Sequence, residues 1–158
     1  MMELIGSAHS LGEANFHLQF TPKYRRDVFR DGEVKRVCEE TFRSTANRYG
    51  FAVHAVEFGP EHAHIFVGAC KNLSVSELAR LLKGASSRKI RVQCWNRIRG
   101  KLWGDSFWSD GYFYRSVGAT TNEAIKFYLE HSQGKHWKAI DHDTYLQSKQ
   151  KPLTQYLN

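Results

Sequence analysis

No stretch of the 158-residue sequence is apolar over anything near the ~20 residues that a helix needs to cross a bilayer. The first twelve residues hold no basic segment followed by a long apolar one, so no secretory signal is expected and the chain is expected in the cytoplasm. Cysteine is scarce: Cys38, Cys70 and Cys94 are odd in number, far apart and form no CxxC pair. That argues against a disulfide framework and a cysteine zinc site, and leaves three thiols without an evident task. Internal repeats and low-complexity tracts are also missing. Acidic residues are absent between Glu77 and Asp105, where Arg80, Lys83, Arg88, Lys89, Arg91, Arg97, Arg99 and Lys101 lie.

Those eight cations exceed the whole-chain net charge of +7. A concentrated basic field attracts polyanions, nucleic acid foremost, although a solvated helix face followed by a loop has the same composition. The length fits one domain, and a domain of this size hides roughly 70% of its unfolded surface. With 41% hydrophobic and 25% charged residues, the composition is that of a soluble globular protein.

The alternation over residues 14–20 predicts a strand ended by Thr21-Pro22. Val34, Val37, Cys38, Phe42 and Tyr49 recur at helical spacing over residues 33–49, and Gly50 closes that helix. Residues 51–58 and 61–69 read as strands joined by a Gly59-Pro60 turn. A capping box, Ser74 with Glu77, opens a second helix to about residue 90, with Leu78, Leu81 and Leu82 as its apolar stripe. Residues 100–105 read as a loop, and residues 107–117 as an aromatic strand with a bulge at Asp110-Gly111. Thr120 or Thr121 caps a third helix to about Gln133. The order β-α-β-β-α-β-α implies an α+β, ferredoxin-like antiparallel sheet with helices on one face, plus an extra C-terminal helix. We expect one domain over residues 1–133, with its core at 14–133. Residues 134–158 are expected to form a polar tail or accessory helix.

His62 and His64 stand two apart on a predicted strand, so both imidazoles leave the same face while Ala63, Ile65 and Val67 enter the core. Two neutral imidazoles side by side can share a divalent cation. The same pattern also suits two partly exposed histidines on a sheet face. His17 and His54 are isolated in sequence and read as ordinary sheet-face residues. On the third helix, Tyr128 has His131 and Ser132 as its i+3 and i+4 neighbours. A tyrosine there either packs its ring or, beside a cation, acts as a nucleophile.

The segment Glu61-His62-Ala63-His64-Ile65-Phe66-Val67 resembles the His-hydrophobic-His strand of HUH endonucleases. Residues 20–26 (FTPKYRR), 83–88 (KGASSR) and 108–118 (WSDGYFYRSVG) resemble, in order, the TnpA-type single-tyrosine transposases of bacterial and archaeal insertion sequences. The resemblance covers about residues 14–133 and places Tyr128 at the nucleophile's position. It implies cleavage and rejoining of single-stranded DNA through a 5′-phosphotyrosine, with Mg²⁺ or Mn²⁺ on His62 and His64. It also implies DNA hairpins as partners, a homodimer with shared active sites, and no nucleotide cofactor. Family members carry a glutamine four residues after the tyrosine as third metal ligand. Here that position is Ser132, so Gln133, or alternatively His131, is expected to supply it.

For DNA contact, Lys23, Arg25, Arg26, Lys83, Arg88 and Lys89 are the candidate phosphate partners. Trp108, Tyr112 and Tyr114 either stack on unpaired bases or fill the core. Two alternatives stand beside the transposase reading: a domesticated single-strand endonuclease acting on genomic repeats, and a non-catalytic ferredoxin-like nucleic-acid-binding module.

Overall fold

The computed structural model describes residues 5–6, 11–12, 14–68, 70, 72–102 and 104–117. The expected tyrosine helix, with Tyr128, His131 and Gln133, and the segment 134–158 lie outside the described residues.

Two short strands, β1 (Ile5–Gly6) and β2 (Leu11–Gly12), pair with each other ahead of the first strand that the sequence predicts. The main sheet contains β3 (Asn15–Phe20), β4 (Ala52–Gly59), β5 (His62–Gly68) and β6 (Phe113–Val117). Its order is β4-β5-β3-β6, antiparallel at every step. The two central strands are not neighbours in sequence, and the crossovers that separate them carry the helices. This is the ferredoxin-like arrangement the sequence predicts.

Helix α1 (Gly32–Tyr49) starts where the Asp31 carboxylate accepts from the backbone N–H groups of Glu33 and Val34, two of the helix's orphan donors. It ends at Gly50, whose φ of 78° is a left-handed conformation that glycine adopts without a Cβ penalty. Helix α2 (Val75–Gln93) begins with the expected capping box: Glu77 N–H donates to Ser74 Oγ, and Ser74 N–H to the Glu77 carboxylate. The stripe it buries is Leu78, Ala79, Leu82, Ser86 and Ile90. Leu81, expected in that stripe, is half-buried and lines a groove between the helices. A four-residue helix, α3 (Trp95–Ile98), follows before the 100–105 loop.

Both helices pack on the sheet face that carries Leu18, Phe20, Ala63, Ile65 and Val67. Each fully buried Leu, Ile or Phe there contributes about 1.5–3 kcal/mol of burial. None of the described helices is long and apolar enough to cross a membrane.

The expected strand over residues 107–117 is corrected. The ladder begins only at Phe113. Upstream, Lys83 on α2 gathers three successive carbonyls with its ammonium: Ser109 at 2.6 Å, Asp110 at 3.2 Å and Gly111 at 3.2 Å. Carbonyls that converge on one cation cannot alternate across a ladder, so the segment is a loop rather than a bulged strand. Only an isolated bridge between Pro22 and Trp108 remains of the pairing.

Candidate active site

β5 is buried along its whole length, on both faces. The alternation in its sequence therefore separates two buried sides rather than one buried and one wet. Ala63, Ile65 and Val67 face the helices, as expected. His62 and His64 face the other way, yet they are only 6% and 0% exposed. They are not partly exposed sheet-face histidines.

The Gly59-Pro60-Glu61 turn sets β5 in register with β4 so that Gly59 lies opposite His62. A Cβ on Gly59 would fall 2.1 Å from Cε1 of His62, so the ring occupies space that only glycine leaves. The His62 and His64 rings are 4.7 Å apart and edge-to-face. His62 Nδ1 lies 3.2 Å from Glu61 Oε1, which a carboxylate meets as acceptor of the Nδ1–H. His64 Nδ1 lies 3.0 Å from Nε2 of His17 on β3. Burial first, and then the neighbouring His62, pushes His64 down to about 3. Burial, with His64 and Arg115 adding to it, holds His17 well below the usual histidine range. His64 and His17 are therefore neutral at physiological pH, and the neutral imidazole is the form that binds a metal.

His17, expected from the sequence as an ordinary sheet-face residue, is instead part of the histidine cluster. It is 1% exposed and in direct contact with the histidine pair. Its partner is 47 residues away. Only the pairing of β3 with β5 brings them together. His54, by contrast, is exposed at the β4 irregularity, away from the pair.

A divalent cation fits the groups present. The Nε2 of His62 and the Oε1 of Gln19 are buried and have no hydrogen-bond partner. Gln19 pairs directly with His64 across the sheet. Buried lone pairs without a partner are costly, and a cation would satisfy them. Among the described residues no group of three or more His, Cys, Asp or Glu side chains is placed to hold a metal ion. His62 and His64 thus offer two ligands, and the expected third, Gln133 or His131, lies outside the described residues, as does Tyr128.

The expected DNA contacts fall into separate regions. Residues 21–30, which include the 3-10 turns Lys23–Arg25 and Val28–Arg30, are tied to the segment before β6 by Lys23 N–H donating to the Phe107 carbonyl at 2.8 Å, and to the β4–β5 turn by Phe29 N–H donating to the Pro60 carbonyl at 3.1 Å. Within this stretch, Tyr24 and Arg25 adopt φ of 60° and 51°, left-handed values that cost non-glycine residues energy. The exposed Arg25 guanidinium stands 4.0 Å from the carboxylate of Glu61, the residue before His62. Lys23 is half-buried and Arg26 exposed in the same stretch. Arg88 and Lys89 lie elsewhere. With Arg48 and Arg80 they line a groove of about 520 Å³ between α1 and α2, on the helical side of the sheet. Lys83, expected at phosphate, is occupied with the 109–111 carbonyls. Trp108 is core, its indole N–H donating to the buried Ser86 hydroxyl at 2.9 Å. Tyr112 is half-buried against the core, and Tyr114 is 55% exposed.

The family model described as "Transposase IS200 like" matches residues 10–132. The chain belongs to the IS200-like transposase family. Among IS200-like relatives, the ISDra2 transposase TnpA of Deinococcus radiodurans is 30% identical over 123 residues, covering 78% of this chain and 86% of the relative. The transposase for insertion sequence element IS200 of Salmonella typhimurium is 30% identical over 124 residues, covering 78% and 80%. A crystal structure from Deinococcus radiodurans R1, described as that of a candidate transposase, superposes with a TM-score of 0.64 at 25% identity, covering 82% of this chain and 98% of that one. A REP-associated tyrosine transposase bound to a REP hairpin shares the fold, with a TM-score of 0.50 at 12% identity over 80% of this chain and 73% of that one.

Proposed function

We propose that this IS200-like transposase cleaves and rejoins single-stranded DNA at the ends of an insertion sequence, with Tyr128 as nucleophile and a divalent cation, Mg²⁺ or Mn²⁺, held by His62 and His64. The observation that carries the reading is the histidine pair itself. Two buried imidazoles sit side by side on one strand, each held at Nδ1 by a neighbour.

The cation's chemistry is to polarise a phosphate oxygen and offset the negative charge that develops during displacement. The protein supplies the remainder. The Tyr128 hydroxyl gives up its proton as its oxygen attacks the scissile phosphorus, the bond from phosphorus to the 3′ oxygen breaks, and that oxygen takes up a proton to leave as a free 3′-OH. The phosphate stays on Tyr128 as a 5′-phosphotyrosine. A second 3′-OH then attacks the same phosphorus, the bond to the tyrosine breaks, and the tyrosine recovers its proton. One phosphoester replaces another at each stage, so no nucleotide cofactor is needed. Arg25, beside the pair, holds the strand's backbone phosphate. Arg88 and Lys89, in the helical groove, meet the phosphates of a DNA hairpin.

Tyr128 lies far along the chain from the pair. The reading includes a homodimer in which one subunit's tyrosine serves the partner's histidines. Single-stranded DNA from the flanks of the gene, incubated with Mn²⁺, should yield a denaturation-resistant protein–DNA adduct. Tyr128→Phe should still bind hairpin DNA and form none. Mixing Tyr128→Phe with His64→Ala chains should restore adduct formation if the sites are shared. Absence of any adduct with every flanking sequence would overturn the proposal.

A further inference from the structure

His17 is a histidine that no family motif quoted above includes, yet its ring is in hydrogen-bond contact with His64. Its ring is stacked on Phe66, with centroids 4.4 Å apart and planes 18° apart, and is 1% exposed. Its register partner on β5 is Phe66, which brings its Nε2 diagonally to within 3.0 Å of His64 Nδ1.

One proton occupies a hydrogen bond between two neutral imidazoles, and where it resides decides the chemistry. With the proton on His17 Nε2, His64 accepts at Nδ1 and carries its own proton on Nε2, which then has no lone pair to give. With the proton on His64 Nδ1, its Nε2 lone pair is open to a cation. His62 shows the second arrangement, since the Glu61 carboxylate accepts from its Nδ1–H. Metal-binding histidines as a rule donate their other N–H to an outer partner, which fixes tautomer and ring orientation.

We infer that His17 is a positioning residue, accepting the Nδ1–H of His64 so that the His64 Nε2 lone pair is fixed beside His62 for a divalent cation. This rests on the reading that His62 and His64 hold such a cation. His17 and Glu61 then act as a matched pair, one outer partner for each ligand. Phe66 holds the His17 ring in place by stacking.

The test uses the full chain without DNA and measures Mn²⁺ affinity directly, with thermal melting as a check on the fold. His17→Phe keeps the stacking and the volume but cannot accept a hydrogen bond. We expect it to lose about 10- to 100-fold in Mn²⁺ affinity. His17→Gln offers an amide oxygen and should stay within a few-fold of the natural chain. Equal affinity in His17→Phe would overturn the inference while leaving the metal site standing. Mn²⁺ binding in the natural chain that is unaffected by His62→Ala would overturn the metal site itself, and the inference with it. Nitrogen NMR of the unsubstituted, metal-free protein supplies a readout that needs no variant. It should find the His64 proton on Nδ1. A proton on Nε2 would overturn the assignment even if His17→Phe failed to fold.

Discussion

Gly59 stands directly across the β4–β5 hairpin from His62, and the imidazole lies where a side chain at position 59 would be. The backbone does not demand glycine there, because the positive-φ glycines among the described residues are Gly50 and Gly104. The ring alone excludes a methyl group. Gly59→Ala is therefore expected to leave the strand intact while pushing His62 out of position. A misplacement on the order of 1 Å at a reacting centre can cost about 100-fold. We expect Mn²⁺ affinity and adduct yield to fall at least 10-fold, with an unchanged melting transition. A variant that binds Mn²⁺ normally would show that His62 can move without consequence.

Lys83 gives a second prediction, because its position separates two roles. Its ammonium joins Ser109, Asp110 and Gly111 on one side and lies 5.8 Å from the Phe20 ring centroid and 5.9 Å from that of Tyr112 on the other. Burial lowers its pKa, which the nearby Asp110 opposes. Lys83→Met keeps the stem but strands three carbonyls. Hydrogen bonds to a charged group are worth about 1.5–3 kcal/mol each at most, and partial solvation of the loop reduces what is lost. A total loss of about 1.5–3 kcal/mol in urea unfolding is expected. If Lys83 served only DNA, urea stability would not change.

What could be read from the sequence, and what could not, follows from how far apart the cooperating groups lie. The capping box of α2 spans four residues, and the His62–His64 spacing spans three, so each was legible as a local pattern. Nothing local marks His17, because its partner is 47 residues away. The loop at 107–112 is hidden in the sequence for the same reason. Its alternating aromatics suit a strand, but the cation that bends its carbonyls is 26 to 28 residues upstream. Alternation alone leaves open whether the sheet face that bears the histidines is partly exposed, whereas β5 is buried on both sides.

The three cysteines yield a prediction about reactivity. Cys38, Cys70 and Cys94 are all free and buried. Burial pushes each thiol up, Cys70 to about 12. The thiolate is the reactive form, and a raised pKa disfavours it at every pH below that value. The folded chain should therefore react with thiol reagents only by opening. Its labelling rate should show no thiolate step near the ordinary cysteine pKa of about 8.5, whereas the unfolded chain should show one. A native thiol that titrates near 8.5 would contradict the burial seen here.

The two basic regions should separate binding from chemistry. Arg88 and Lys89 line the groove between α1 and α2, on the side of the sheet away from the histidines. Arg25 stands beside Glu61 and His62. Each phosphate neutralised on duplex DNA adds about 0.9 to the slope of log affinity against log salt. Replacing both Arg88 and Lys89 by Ala should then weaken hairpin binding and reduce that slope by about two. Adduct formation at saturating DNA should stay near normal, because neither residue approaches the histidine pair. Arg25→Ala should do the reverse. Hairpin affinity should change little, while the rate of adduct formation on saturating single-stranded DNA falls on the order of 10-fold or more, as expected when a group that positions the reacting phosphate is removed. Salt titrations of hairpin binding, set beside single-turnover adduct rates for the same variants, measure both effects. If Arg88 and Lys89 changed the rate and not the slope, the helical groove would not be the hairpin's seat, and the division of labour between the two faces would be wrong.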